Sequence, residues 1–159
     1  MYAQSRLVKY EYYAAIRTAD DLSSFDFVST GKSGEFLKRI VFMRTEIEGV
    51  YNLAFGDVME NGELDDYSIT DNGDRNKILA TVFDVVNTYT VRYPERMIYF
   101  RGSTKERTRL YRIAIGLNFE ELSKFFDIYA EIEGDDRFTP FRKNMEIDAF
   151  LIKRKPLKR

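Results

Sequence analysis

The sequence predicts an α/β fold of the α+β kind, with one mixed, mostly antiparallel, twisted sheet and flanking helices. In the first third of the chain, apolar residues alternate with polar ones, as at Tyr51, Leu53 and Phe55, which is typical of strands. The chain also has 11 tyrosines and 13 phenylalanines, and aromatic residues favour β-structure. Residues 77–90 instead carry apolar residues at helical spacing, and a strand pattern stands on each side of them. This β-α-β unit predicts two parallel neighbours in an otherwise antiparallel sheet.

Four strands are predicted before the acidic stretch, with a glycine-containing turn at 31–34 and a break at Gly49. They cover residues 6–13, 25–29, 36–47 and 51–55. The stretch 57–74 has seven acidic and no basic residues. A brief strand is predicted inside it at 67–70, and a turn at 71–74 leads into the long helix.

Proline cannot continue a helix, so the long helix is expected to end before Pro94, with a short buried strand at 97–100 after it. A second helix is predicted at 105–115, with a capping box formed by Ser103 and Glu106 and with Gly116 at its end.

Asn118 is predicted to cap a third, short helix that ends near residue 124. Two further strands are predicted at 126–132 and 147–153, with a loop at 133–140 between them.

The length of 159 residues suits one domain, which we place at 1–152, with a basic tail at 153–159. No apolar run is long enough to cross a bilayer, and the first residues lack the apolar centre of a signal peptide. We therefore expect a cytoplasmic protein that does not bind membranes. The aromatic content leaves room for a homodimer.

The composition excludes several kinds of enzyme. The chain has no cysteine and no histidine, so it has no thiol nucleophile, no Ser–His pair and no histidine-containing metal site. Its 25 basic and 26 acidic residues give a formal charge of −1, which argues against binding nucleic acid by bulk charge. The acidic stretch lacks the spacing of a calcium loop, so a solvated loop is favoured there and no metal site is predicted.

Two passages could bind anions. In the first, the turn before the long helix offers backbone amides at a helix start, which attract anions. Gly73 permits close approach of an anion and Arg75 adds positive charge, whereas the carboxylate of Asp74 repels an anion. The alternative is an aspartate that simply caps the helix. In the second, residues 92–112 hold seven basic and two acidic residues, so the helix at 105–112 could contact a phosphate or a nucleic-acid backbone, or could simply be a solvated face. The basic tail at 153–159 could do the same, although a frayed terminus is favoured.

Four motifs, at 51–57, 68–74, 77–82 and 102–112, together resemble a family of short, uncharacterised bacterial proteins classed as a domain of unknown function. The resemblance extends from about Phe25 to Lys155. It implies no particular activity.

More distantly, residues 52–117 are similar to the core of the GNAT acyl-CoA N-acyltransferase superfamily in their order of strand, glycine turn, long helix, strand and helix. This resemblance implies that the parallel strands separate near Phe55 and Tyr99. It implies acetyl-CoA as ligand, with its pyrophosphate at Gly73, Asp74 and Arg75, and Tyr111 as the catalytic acid that protonates the departing thiolate. The turn departs from the superfamily's glycine pattern, so the scaffold could be active or degenerate.

The function stays unassigned at this point, and enzyme status is open. One hypothesis is an acyl-CoA-binding scaffold of the N-acyltransferase kind. A second is a non-catalytic module that binds a protein or a nucleic acid through the basic helix 105–112. A mobile-element or toxin–antitoxin component is compatible with the small size, although no residue argues for it.

Overall fold

The structure is a computed structural model that describes residues 10–65, 72–132 and 137–156. Within these ranges the chain forms nine strands and three helices. The strands are β1 (Arg17–Thr18), β2 (Ser24–Gly31), β3 (Gly34–Arg44), β4 (Val50–Val58), β5 (Leu64–Asp65), β6 (Met97–Phe100), β7 (Phe126–Ile132), β8 (Phe138–Pro140) and β9 (Ile147–Arg154). The helices are α1 (Arg75–Arg92), α2 (Lys105–Leu117) and α3 (Phe119–Leu122).

All the strands belong to one sheet with the order β1-β2-β3-β4-β6-β9-β7-β8, and β5 pairs with the far end of β4. Neighbouring strands are antiparallel except β4 and β6, which run parallel. The predictions of a mostly antiparallel mixed sheet and of one parallel pair are therefore confirmed. None of the described helices is both long enough and apolar enough to cross a bilayer.

The core lies between the three helices and one face of the sheet. That face carries buried side chains from six strands: Phe25, Phe27, Ile40, Phe42, Leu53, Ile98, Phe100, Phe126, Ile128, Phe150 and Ile152. Tyr89 of α1 stacks on Phe42 with ring centroids 3.8 Å apart. Tyr111 of α2 meets Phe100 edge to face at 5.3 Å. Each such buried aromatic side chain stabilises the fold by about 1.5–3 kcal/mol. The aromatic residues that favoured β-structure in the sequence therefore also form much of the core.

The ends of α2 differ from the prediction. Thr104 is the N-cap, and its hydroxyl accepts a hydrogen bond from the Arg107 amide at 3.2 Å, so the predicted capping box of Ser103 and Glu106 is wrong. The helix also continues past Gly116, because Asn118 forms the cap and its side-chain amide donates to the Ala114 carbonyl at 2.8 Å.

The predicted strand at 6–13 is wrong where the structure describes it, because residues 10–13 are not in a strand. Tyr13 is held there by its own contacts. Its amide donates to the Thr81 hydroxyl at 2.9 Å, and its ring stacks on Phe27 at 5.5 Å. The strand predicted at 67–70 lies outside the described residues.

The chain after β7 is more regular than predicted. Within the expected loop at 133–140, Phe138–Pro140 form β8 and pair with β7. At the other end, β9 extends to Arg154, whose guanidinium donates to the Asn87 carbonyl and the Thr90 hydroxyl of α1, both at 3.2 Å. The first residues of the predicted basic tail are therefore part of the sheet.

Candidate functional site

A cleft opens where the two parallel strands separate. Their pairing covers three residues and ends at Asn52 of β4 and Tyr99 of β6, although β4 continues to Val58. Beyond that point, the cleft has a volume of about 410 Å³ and is lined by β3, β4, the turn before α1, and the amino-terminal halves of α1 and α2. The amino ends of the two helices therefore meet at one edge of the sheet.

The four residues that the GNAT resemblance singles out all line this cleft: Gly73, Asp74, Arg75 and Tyr111. The first three form the turn and the start of α1, whereas Tyr111 comes from the middle of α2. Two segments that are far apart in the sequence thus share one wall of the cleft, because each helix follows a strand of the parallel pair.

The turn before α1 is clamped to the β2–β3 hairpin by Asn72, which is 3% exposed. Its side-chain amide donates to the Gly34 carbonyl at 2.9 Å and to the Ser29 hydroxyl at 3.1 Å. Its side-chain oxygen accepts from the Ser33 amide at 2.7 Å. A side chain of this size has few further polar atoms to satisfy, so Asn72 holds the turn in one position.

Close packing against this clamp explains Gly31. A Cβ atom built at Gly31 would lie 1.9 Å from the carbonyl oxygen of Asn72, a distance that real atoms do not reach. Gly73 differs, because its requirement is conformational. Its φ of +77° is in the left-handed region that glycine adopts at little cost, and the space beside it is open, with Lys32 the nearest side chain at 4.0 Å.

Asp74 is in the N-cap position of α1, but its side chain makes no capping hydrogen bond. Its carboxylate instead accepts hydrogen bonds from the hydroxyls of Ser29, at 2.5 Å, and Tyr13, at 2.6 Å. These two hydrogen-bond donors therefore stabilise the negative charge of Asp74, which the sequence analysis counted against anion binding at this turn. Arg75, the next residue, is exposed at the start of the helix.

The charged floor of the cleft is an ion pair between Lys38 of β3 and Asp57 of β4. The two residues are cross-strand partners, and their side chains are 7% and 18% exposed. Sequence reasoning missed both. The signal was the alternation Phe36, Lys38, Ile40 and Phe42, which places a lysine on the buried face of the strand. A lysine there needs a charged partner, but the register that supplies Asp57 is not readable from the sequence.

Tyr111 is buried against Phe100, and burial raises the pKa of its phenol to about 12, with the nearby Arg107 acting in the opposite direction. Among the described residues, none forms a hydrogen bond with its hydroxyl. At neutral pH this phenol is therefore protonated and able to donate a hydrogen bond into the cleft.

The basic helix at 105–112 does not present one surface. Arg107 lines the cleft and donates to the Ser103 hydroxyl at 2.7 Å. Arg109 and Arg112 line a separate groove of about 620 Å³, to which Glu146 and Asp148 also contribute. The basic residues thus divide between two sites, and the second site has mixed charge. In the described ranges, no group of three or more acidic side chains could hold a metal ion.

No curated protein and no solved structure matches the chain. A family model does match, over residues 9–155, which is nearly the whole chain. The family has no assigned activity, so the match adds no residue role to the geometry described above. On that match, the chain belongs to DUF6934, a family of unknown function.

Proposed function

We propose that the cleft binds the phosphate and pantetheine parts of an acyl-CoA, and that the protein has a GNAT-like, acyl-CoA-binding core. The observation that carries this proposal is the convergence of Gly73, Asp74, Arg75 and Tyr111 on one cleft, at the place where the parallel strands separate. The resemblance that implies a role for these residues also implies that the parallel strands separate near Phe55 and Tyr99; the pairing of β4 with β6 ends at Asn52 and Tyr99, and Phe55 lines the cleft.

The donors of the cleft suit an anionic ligand. Two helix amino ends meet there, and helix amino ends attract phosphate. Arg75 adds an exposed guanidinium two residues after Gly73, whose φ is +77°, and a guanidinium can bind phosphate with two parallel hydrogen bonds. Among the described residues, three carboxylates line the cleft, and they oppose an anion. That of Asp74 accepts two hydroxyl hydrogen bonds and that of Asp57 is paired with Lys38, which reduces their repulsion, while Glu106 lies beside Arg107 in the first turn of α2.

The remaining walls suit the pantetheine arm. Phe55, Ile78, Leu79 and Leu110 give the cleft an apolar lining, and small-molecule sites are mostly apolar with a few polar groups. The volume of about 410 Å³ is in the lower part of the range for such sites, roughly 300–1,000 Å³. We infer that the nucleotide end of the ligand would lie outside the cleft, on the surface.

Tyr111 would donate a hydrogen bond to the bound thioester. A phenol with a pKa of about 12 is a weak acid compared with a thiol, whose ordinary pKa is about 8.5. It therefore orients and stabilises the ligand more readily than it delivers a proton, and an efficient general acid would need a lower pKa. This favours ligand binding over fast acyl transfer as the role of the cleft.

The test is isothermal titration with acetyl-CoA, together with a thermal shift assay. We expect binding by the wild type and about tenfold or greater weakening in Arg75→Gln, since a hydrogen bond to a charged group is worth about 1.5–3 kcal/mol. Arg109→Gln is the matched control, because Arg109 lines the other groove and its loss should leave the affinity unchanged. The absence of any shift at millimolar acetyl-CoA, or equal losses in the two variants, would refute the proposal.

The same protein can test the alternative of a nucleic-acid-binding module. Salt-sensitive RNA or DNA binding that falls in the double variant Arg107→Ala and Arg109→Ala would support it. The carboxylates of Glu146 and Asp148 in the second groove favour the acyl-CoA proposal over this one, because they repel a phosphate backbone.

A further inference from the structure

Another cavity, separate from both the cleft and the groove at Arg109 and Arg112, lies between the amino-terminal arm of the described chain, β2 and the middle of α1. Its volume is about 240 Å³. The aromatic side chains of Tyr13, Phe25 and Phe27 form part of its wall, and Asp84 and Val85 of α1 form another part. Asp84 is nine residues after Arg75 on the same helix, which places it about 13 Å further along the helix axis.

Asp84 is a half-buried carboxylate without a partner. No described residue forms an ion pair or a hydrogen bond with its side chain, and burial alone accounts for the raised pKa of this group. An unpaired carboxylate in a partly desolvated place is unfavourable. The group that would relieve this cost is a cation with hydrogen-bond donors.

Two hydroxyls of the cavity wall already form hydrogen bonds, and Asp84 is the one charged residue among the described residues of the lining. The Thr81 hydroxyl donates to the Lys77 carbonyl at 2.7 Å and accepts from the Tyr13 amide at 2.9 Å. The Thr88 hydroxyl donates to the Asp84 carbonyl at 3.1 Å. The carboxylate of Asp84 therefore dominates the polar chemistry that the cavity offers to a ligand.

The rest of the wall suits the organic part of a cation. Phe27 stacks on Tyr13 at 5.5 Å and on Phe55 at 6.1 Å, and Phe25 and Phe27 are almost fully buried core residues. Their positions are therefore fixed, and they offer the organic group an apolar contact. The volume of about 240 Å³ is sufficient for one ring, since an engineered apolar cavity of about 150 Å³ holds benzene.

We propose that this cavity binds a small primary ammonium ion that carries an apolar or aromatic group. The ammonium group donates hydrogen bonds to the Asp84 carboxylate, and the organic group packs against Tyr13, Phe25 and Phe27. This site is distinct from the one in the acyl-CoA proposal, because the cavity and the cleft have no described lining residue in common.

The probes are benzylamine, which is an ammonium ion at pH 7, and benzyl alcohol, which has the same ring without the charge. We expect the full chain to bind benzylamine in a titration followed by amide NMR, with shifts at Thr81, Val85 and Thr88, and to bind benzyl alcohol at least tenfold more weakly. No binding of benzylamine at 10 mM, or equal binding of the two probes, would overturn the proposal.

The variant Asp84→Asn keeps the shape of the side chain and removes its charge. We expect benzylamine affinity to fall about 10- to 100-fold in this variant, the range for the loss of a charge-assisted hydrogen bond. Asp20→Asn is the matched control, because Asp20 is exposed and is not part of the cavity wall. An unchanged affinity in Asp84→Asn, or the same loss in Asp20→Asn, would overturn the proposal. If Asp84→Asn fails to fold, the comparison of the two probes on the wild type decides the matter.

Discussion

Replacement of Asn72 by alanine removes the clamp between the turn before α1 and the β2–β3 hairpin. The residue is 3% exposed and forms three side-chain hydrogen bonds, of 2.7, 2.9 and 3.1 Å. The hydrogen bonds join it to Ser33, Gly34 and Ser29. Each such bond contributes about 0.5–1.5 kcal/mol net, so the three together give about 1.5–4.5 kcal/mol.

The actual loss should be smaller than the sum, because the partners differ in their access to water. Ser33 and Gly34 are exposed, so water can replace Asn72 at both of them. Ser29 is fully buried but keeps Asp74 as a hydrogen-bond acceptor. We therefore expect Asn72→Ala to lower the free energy of unfolding by about 2–3 kcal/mol.

Urea denaturation followed by circular dichroism measures this loss directly. A protein of this size loses roughly 2–4 °C in Tm for each kcal/mol, so the melting temperature should fall by about 4–12 °C. The control is Asn76→Ala, since Asn76 is an exposed residue in the first turn of α1. Its effect should stay within about 0.5 kcal/mol. A change for Asn72→Ala that is as small as that of the control would show that Asn72 does not hold the turn.

Three further outcomes are expected. Gly31→Ala should destabilise the protein at least as much as Asn72→Ala in the same urea assay, because the added Cβ would lie 1.9 Å from a main-chain oxygen; a stable Gly31→Ala protein would contradict the close approach. In an alkaline absorbance titration, the difference between the wild type and Tyr111→Phe should show one phenol that ionises at about pH 12. Since burial raises the pKa of Tyr111, the stabilising effect of the neutral phenol is present below the ordinary tyrosine pKa of about 10 and is lost as the pH rises towards about 12. A difference titration centred near pH 10 would contradict the burial of this phenol. Burial also raises the pKa of Asp84, so the wild type should lose stability relative to Asp84→Asn as the pH rises above the ordinary carboxyl range. Urea titrations at pH 3.5 and pH 7 measure that difference, and the same offset at both values would contradict it.

The regular elements were predictable from the sequence where one strong periodic signal covers the whole element. Strand β7 and strand β6 have the predicted bounds, and α1 is only two residues longer at each end. The strand expected at 6–13 fails because Tyr13 is held by a side-chain stack and by Thr81 of a distant helix. Strand β8 was missed because Phe138–Pro140 are extended through their backbone pairing with β7, and this long-range contact leaves no periodic pattern in so short a segment.

The candidate site was partly predictable for the same physical reason. Residues at the turn before α1 could be selected because the turn, its glycine and the helix start are local features. The convergence of Tyr111 on that turn, and the pairing of Lys38 with Asp57, depend on strand order and register. These are long-range properties that no local pattern encodes. Asp84 looks like an ordinary helix residue in the sequence, and its partial burial beside the amino-terminal arm and β2 follows from tertiary packing.

Strand β6 is four residues long and takes one hydrogen-bonded ladder from β4 and the other from β9, which begins at Ile147. One of the two strands between which the cleft opens is therefore fully paired only when a distant segment returns and inserts between β6 and β7. Contacts of such large sequence separation form slowly, because the loop must close before they contribute. The β2–β3–β4 meander, whose contacts are local, is expected to fold first, and closure of β9 onto β6 to set the rate at which the binding-competent protein appears.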